Sequence, residues 1–430
     1  MENYITKNNR AWNFLFNHFN ILEIINEKGY FKITADQIKE SKREPRLMTK
    51  FDSSENLPKI FVDNNLAILP IKRGTYIIGR FKNYQDLEID NNVEVKTATM
   101  PKNITTIQKN NITSEAVSLN AAYISGMLEN ILGEKVVPTL QGRMGTNKFD
   151  YNILLKNNAT FNITVDKSQM EIDGSFEGET KYAILEAKNC YLNDFIIRQL
   201  YYPYRVLKNI TNKKVVPIML MKHDNIYNFY IYEFLDSKNY NSLKLIDIKR
   251  FILDDIFEPI EIKDIIEIMN KVKFGKETKT TPFPQANSFH RVLDLVNELN
   301  NKELTATEIS ELYEFDLRQG NYYLAAGIYL GLIEKSTLYR LTSLGKKIVK
   351  LNHKDKTTEL IKLILSKKPF YVALEGYINN FEFNQDKIAE SIFETRNEIK
   401  SMVTAKRRAS TVISWVKWIL EQTSVHDKVK

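Results

Sequence analysis

The sequence predicts a multi-domain α/β and α protein: a small N-terminal α+β module, a central mixed β-sheet flanked by helices, and an α-rich C-terminal part. Three observations predict it. The 430 residues suffice for about two to four domains. Over residues 101–265 the apolar patterns run helix, strand, strand, helix, strand, strand, which calls for a mixed sheet with helices on its faces. Over residues 286–352 three helical patterns precede two short strand-like runs, the order of a winged helix-turn-helix. The expected divisions are residues 1–100, 101–265, a linker over 266–285, the winged helix over 286–352, and a C-terminal helical, helix-turn-helix-like domain over 353–430.

Residues 1–100 open on "AWNFLFNHFNILEIINEKG", helical by its apolar spacing. "ITADQIKES" reads as a short helix capped by Thr34. After a basic loop bearing Arg43, Arg46 and Lys50, "IFVDNNLAILPI" and "GTYIIGRF" read as strands, with Gly74 in the turn. The basic loop suits DNA contact about as well as plain solvation.

The central block begins with "SEAVSLNAAYISGMLENILG", a helix with Ser114 at its N-cap. A glycine-bearing loop, "TLQGRMGTNKFD", follows. Two strands then flank a turn at 174–181. "LNDFIIRQLYYPYRVL" is helical until Pro203 kinks or ends it. "KKVVPIMLM" is a continuous apolar run, expected of a strand buried on both faces, and "IYNFYIYEF" is strand-like by its aromatics. The linker holds "FGKETKTTPFPQ". In the C-terminal part, "SFHRVLDLVNELN" (cap Ser288), "TATEISELY" and "EFDLRQGNYYLAAGIYLGL" (cap Asp316) are helices. "IEKSTLYRLTSLGKKIVKL" is a hairpin and then a helix. "NQDKIAESIF" and "TAKRRASTVISWVKWILEQ" form a closing pair, the latter capped by Thr404.

Composition narrows the function. Hydrophobic residues make up 43% of the chain, enough for a sizeable core. No apolar run reaches the roughly 18 residues of a membrane span. "MENYITKNNR" lacks the apolar stretch of a signal peptide. One cysteine, Cys190, excludes an intrachain disulfide and cysteine-rich zinc clusters, and reads as a small core residue. A cytoplasmic location is the expectation. The net charge of +8 suits a nucleic-acid partner without requiring one.

"MEIDGSFEGETKYAILEAKN", residues 170–189, carries the chemistry. In a strand, residues two apart face the same way, so Glu186 and Lys188 share a face. Asp173, ending the neighbouring run, lies beside Glu186 if the strands pair across the turn. Two such acids repel unless a cation sits between them. A hard divalent ion such as Mg2+ takes carboxylate and phosphate oxygens and activates water, and an ammonium can stabilise developing negative charge. A Glu-x-Lys pair on a strand is also often a solvated ion pair. Against that stand the apolar approach "YAIL" and Gly174, which fits a tight strand end.

These residues resemble the PD-(D/E)xK nuclease signature of type II restriction endonucleases: "EIDG" followed after twelve residues by "EAK". Ile172 replaces the signature's proline. The resemblance implies that Asp173, Glu186 and the Ala187 carbonyl ligate Mg2+ and that Lys188 assists the attacking water. It implies a restriction-endonuclease-like sheet and cleavage of double-stranded DNA. It further implies pairing with a DNA methyltransferase, and it admits a homodimer. Such nucleases often carry a further Glu on the preceding helix, and Glu115 and Glu129 are the candidates. A first-turn acid such as Glu115 also simply complements the helix dipole. Gln199 suits contact with the scissile phosphate or a base about as well as plain packing at a helix boundary. Glu171 is a spare ligand or an ordinary strand residue, and Arg143 and Lys148 suit phosphates.

The five histidines, His18, His223, His290, His353 and His426, form no zinc-hydrolase motif, and no phosphate-binding P-loop is present, so no ATP-driven motor is expected. In the third C-terminal helix, Arg318 suits guanine while Gln319 and Asn321 suit adenine. Tyr322 and Tyr323 suit sugars, thymine methyls or the core. Lys406, Arg407 and Arg408 suit phosphates or a solvated helix start, and Trp415 and Trp418 suit the core. A sequence-specific endonuclease is the leading reading. A structure-specific repair nuclease, or a non-catalytic winged-helix DNA-binding or regulatory protein on a nuclease-like scaffold, remains open.

Overall fold

The computed structural model describes residues 6–109, 112, 114–275, 281–313 and 317–423. The chain forms two compact units. One comprises Met1–Ile89, Ser114–Lys222 and Tyr227–Lys249; the other comprises Asp90–Thr113, His223–Ile226 and Arg250–Lys430. It is a mixed α/β protein.

The first unit opens with helices Lys7–His18 and Ile21–Lys28. The single helix expected here is divided because Asn20 adopts a left-handed conformation, φ 48°. Trp12, Leu15, Phe16, Ile21 and Ile25 share one core with Ile33, Ile68 and Ile78, residues of a three-stranded antiparallel sheet ordered Tyr30–Thr34, Thr75–Gly79, Ala67–Lys72. Gly74 occupies the expected turn at φ 71°. Thr34 caps Ala35–Lys39 in a reciprocal box with Gln37. Two sequence readings are corrected. "IFVD" is helical, within Lys59–Asp63, and the strand starts only at Ala67. The basic loop contains a helix, Pro45–Thr49, started by proline in its first turn.

The central sheet is mixed. The turn expected over 174–181 shrinks to 178–180, because Gly174–Glu177 is itself a strand that pairs antiparallel with Lys181–Lys188, which runs parallel to Lys214–His223. Ile226–Phe234 and Leu243–Leu253 continue the order, and Val137–Pro138 pairs on the far side of Gly174–Glu177. Tyr182–Ala187 and Val215–Met221 are buried throughout, as continuous apolar runs require. Helices Glu115–Ile124 and Arg198–Leu207 pack on the strand Lys181–Lys188. Burying Ile184 and Leu185 contributes about 1.5–3 kcal/mol each. That offsets the cost of carrying Glu186, 4% exposed, out of water on the same strand.

Here too the sequence reading needs correction. The helix expected over 114–133 is two, Glu115–Ile124 and Met127–Leu132, separated where Gly126 takes φ 78°. The expected glycine-bearing loop contains a strand, Gly142–Gly145, paired with Gln169–Ile172, and ends in Phe149–Leu154, paired with Thr160–Val165. The helix expected from 192 starts at Arg198, because Asp194–Ile196 is a strand paired with Tyr84–Asp86. Pro203 neither ends that helix nor falls at its edge; it sits inside and forgoes one backbone hydrogen bond. Cys190 is half-buried rather than enclosed.

In the second unit, Arg250–Leu253 pairs parallel with Val95–Ala98. Helix Ile262–Lys271 takes up the first part of the expected linker. Helices Phe289–Glu298, Ala306–Leu312 and Leu317–Tyr329 precede the hairpin Ile333–Lys335 with Tyr339–Leu341 and the helix Ser343–Ile348, the expected order. His353–Leu365, Lys368–Asn380, Gln385–Thr395 and Met402–Glu421 complete one apolar core. Trp415 and Trp418 lie in it, as expected, and Trp415 Nε1 donates to the Ala286 carbonyl at 2.7 Å. Ser401, not Thr404, caps the last helix, accepting from the Thr404 N–H at 3.2 Å. Ser288 stands at its cap position without a side-chain cap bond. Asp316 and His426 lie outside the described residues. No helix among the described residues is long and apolar enough to cross a membrane.

Candidate functional site

The hairpin brings the signature residues together. Gly174 pairs with Leu185, so one step further along the register Asp173 stands opposite Glu186. Asp173 Oδ2 accepts the backbone N–H of Ala187 at 2.9 Å. Lys188 Nζ lies 2.8 Å from Glu186 Oε1. Gln199 Nε2, at the start of the following helix, donates to the same oxygen. Glu115 Oε1 approaches Lys188 at 3.4 Å from the first turn of its helix. That helix is tethered beside the strand end by a 2.6 Å bond from Ser118 Oγ to Asn189 Oδ1. Five expected residues therefore meet at one place: Asp173, Glu186, Lys188, Glu115 and Gln199.

A sixth was missed. Asp52 Oδ2 is 3.3 Å from Lys188 Nζ and 3.4 Å from Lys50 Nζ. It comes from the N-terminal module, more than a hundred residues before the hairpin, in "FDSSEN", where nothing local marks it. The Ser and Asp cluster reads as a turn, and only tertiary packing gives it a partner.

The electrostatics follow from burial and crowding. Glu186 is pushed up to about 8 by burial, with Asp173 and Asp52 adding to the effect in spite of Lys188. Burial also raises Glu115, with Asp173 contributing and Lys188 opposing. Burial would raise Asp52, but Lys188, Lys50 and Arg198 together lower it to about 2. Burial works to discharge Lys188, yet Glu186, Asp52, Glu115 and Asp173 keep its ammonium well above the ordinary lysine range. Four acids thus face Lys188, Lys50 and Arg198.

The donors fit a hard divalent cation by type, being carboxylate oxygens of buried and partly buried side chains. As they stand, the acids are drawn onto Lys188. Among the described residues no three His, Cys, Asp or Glu side chains form a ready-made ligand set.

The other expected residues are scattered. Glu171 pairs with Arg143 at 3.5 Å on the separate ribbon, both about half exposed, so neither joins the acids. Glu129 and Lys148 are exposed. Arg43 is engaged by Asn8 Oδ1 at 2.8 Å, while Arg46 is exposed. Of the basic stretch only Lys50 reaches the site. Asn321 is exposed and Gln319 half-buried on the third C-terminal helix, and the Arg318 side chain lies outside the described residues. Lys406 pairs with Asp386 at 2.7 Å, Arg407 is exposed, and Arg408 is half-buried. Tyr323 is buried in the core.

Three family models match consecutive parts of the chain, each for a domain of unknown function: residues 9–78 (DUF6996), 79–252 (DUF6997) and 291–424 (DUF7226). No curated protein and no solved structure matches. Asp52 falls within the first matched stretch, and the other five site residues fall within the second.

Proposed function

We propose that the chain is a Mg2+-dependent, sequence-specific endonuclease of double-stranded DNA, of the type II restriction class. One observation carries the reading: Asp173 and Glu186 oppose each other at the end of a buried hairpin, with Lys188 on the face of Glu186. The order of helix, antiparallel hairpin, helix and parallel strand around them supports it, because that order suits a PD-(D/E)xK core.

Asp173 and Glu186 would hold the ion, with the Ala187 carbonyl and Glu115 as further oxygen donors. Bound there, Mg2+ would polarise a phosphodiester and acidify a water. The chain's own groups do the rest. Lys188 supplies a fixed positive charge where negative charge develops on the phosphate. Gln199 orients the Glu186 carboxylate. The Asp173 carboxylate is aimed by the Ala187 N–H.

The C-terminal helices and hairpin supply the DNA-reading part of the proposal. A winged helix there would offer Arg318, Gln319 and Asn321 to base edges, with Arg407 near phosphates. Host protection would fall to a partner methyltransferase. The deciding experiment is plasmid digestion with Mg2+ and with EDTA. Discrete fragments with Mg2+ alone support a site-specific enzyme. A smear means a nuclease without site choice. Intact plasmid at all Mg2+ concentrations overturns the proposal and leaves a DNA-binding module.

A further inference from the structure

We infer that Asp52 is a positioning residue of this site, so that the N-terminal module completes the active centre instead of serving only as a separate DNA-recognition arm. The inference rests on the nuclease reading above and adds a residue that nothing in the signature supplies.

The segment carrying Asp52 is clamped. The Asp194 carboxylate, itself buried, accepts from Ser53 Oγ at 2.6 Å, from the Ser54 N–H at 2.8 Å, and from Ser54 Oγ. The Ile196 N–H donates to the Asp52 carbonyl at 2.9 Å, and Tyr84 Oη donates to the Phe51 carbonyl at 3.0 Å. Ser53 is fully buried. Backbone and side chain on both sides of Asp52 are therefore fixed to the short ribbon of Tyr84–Asp86 with Asp194–Ile196, two residues before the helix that carries Gln199.

What the clamp delivers is a carboxylate with one oxygen on Lys188 and the other, Oδ1, buried and accepting no hydrogen bond among the described residues. Leaving a carboxylate oxygen dry and unsatisfied is costly. The three-donor clamp holds it there regardless. Lys188 has a long, flexible stem, and Glu186 alone fixes one direction of its ammonium. Asp52 and Glu115 fix the others.

The test uses the full chain with Asp52→Asn, Asp52→Glu and Ser54→Ala, each checked by thermal melting. Two readings are taken. One is single-turnover plasmid cleavage alongside DNA affinity. The other is acetylation of Lys188 by acetic anhydride in Mg2+-free protein, followed by peptide mass spectrometry and normalised to exposed lysines. Asp52→Asn is expected to slow cleavage about 10²-fold, the cost of misplacing a catalytic group, with DNA affinity unchanged. It should also raise Lys188 acetylation several-fold, about as a lost ion-pair partner would. Asp52→Glu should recover part of both, and Ser54→Ala should fall between it and Asp52→Asn. Wild-type cleavage by Asp52→Asn, or unchanged Lys188 acetylation, overturns the inference. If the unmodified protein does not cut, the nuclease reading fails by itself, and acetylation alone decides whether Asp52 holds Lys188. If Asp52→Asn does not fold, the other two variants give the same readings.

Discussion

Around Lys188 the ammonium lies within 3.4 Å of Glu186, Asp52 and Glu115, a crowd that makes the lysine hard to remove without consequence. Lys188→Ala leaves Glu186 buried beside Asp52 and Asp173, and breaking a buried pair in this way costs about 3–5 kcal/mol. A lower melting temperature in Mg2+-free buffer is the expected result, and Mg2+ should restore part of it. Asp173→Ala should leave DNA binding intact in gel shifts while cutting slows about 10²–10³-fold, the scale seen when one group stabilising the transition state is lost. Normal cutting by this variant would show that the site is misassigned. A second residue-scale prediction concerns pH. Burial lowers His353 to about 4, with Lys356 and Arg250 opposing its charge and Asp224 favouring it. The unfolded chain binds that proton at about 6.5, so it holds more protons than the fold between pH 6.5 and 4. Stability should therefore be lost as pH falls through this window. Burial lowers His290 as well, which adds to the slope. Urea titrations should show a shallower acid slope for His353→Gln; an identical slope would remove His353 as a cause.

Among the elements, the strand Lys181–Lys188 was legible as an apolar run ending in an acid and a lysine, but its register was not: residues 174–177, expected in the turn, form the partner strand, and that pairing carries Asp173 to Glu186. The parallel partner Lys214–His223 was legible as a doubly buried run. What failed were breaks set by single backbone conformations, at Asn20 and Gly126, and short ribbons such as Gly142–Gly145, too brief to show a period. Helix caps fared unevenly. Thr34 and Ser114 do accept their expected N–H groups, whereas the cap of the last helix moved from Thr404 to Ser401 because the helix starts earlier. Thr34→Ala should lower stability by about 1 kcal/mol in denaturant titration. Gly345→Ala should cost more, about 1–3 kcal/mol by overpacking, since a methyl there meets the Leu332 carbonyl oxygen and the Leu341 side chain. A melting temperature equal to the parent's would mean that the hairpin-to-helix junction can relax.

For the whole molecule, a net charge of +8 leads us to expect DNA affinity that falls steeply with salt, because each neutralised phosphate releases counterions. Binding titrations between 50 and 200 mM salt should then lose about 10³-fold or more if six or more phosphates are contacted. A flat response would argue against a phosphate-tracking surface.

The sequence by itself marked out Asp173, Glu186 and Lys188 as candidate neighbours, since strand periodicity puts Glu186 and Lys188 on one face and a hairpin can bring Asp173 beside them. It also marked out the helical order of the C-terminal part. Only the tertiary structure decided that Asp52 belongs with them, that Gln199 turns toward Glu186, and that Arg143 and Glu171 neutralise each other elsewhere. The reason is range: local backbone geometry links residues a few positions apart, while bringing residue 52 to residue 188 depends on the Asp194 clamp, whose partners are more than a hundred residues apart in the chain.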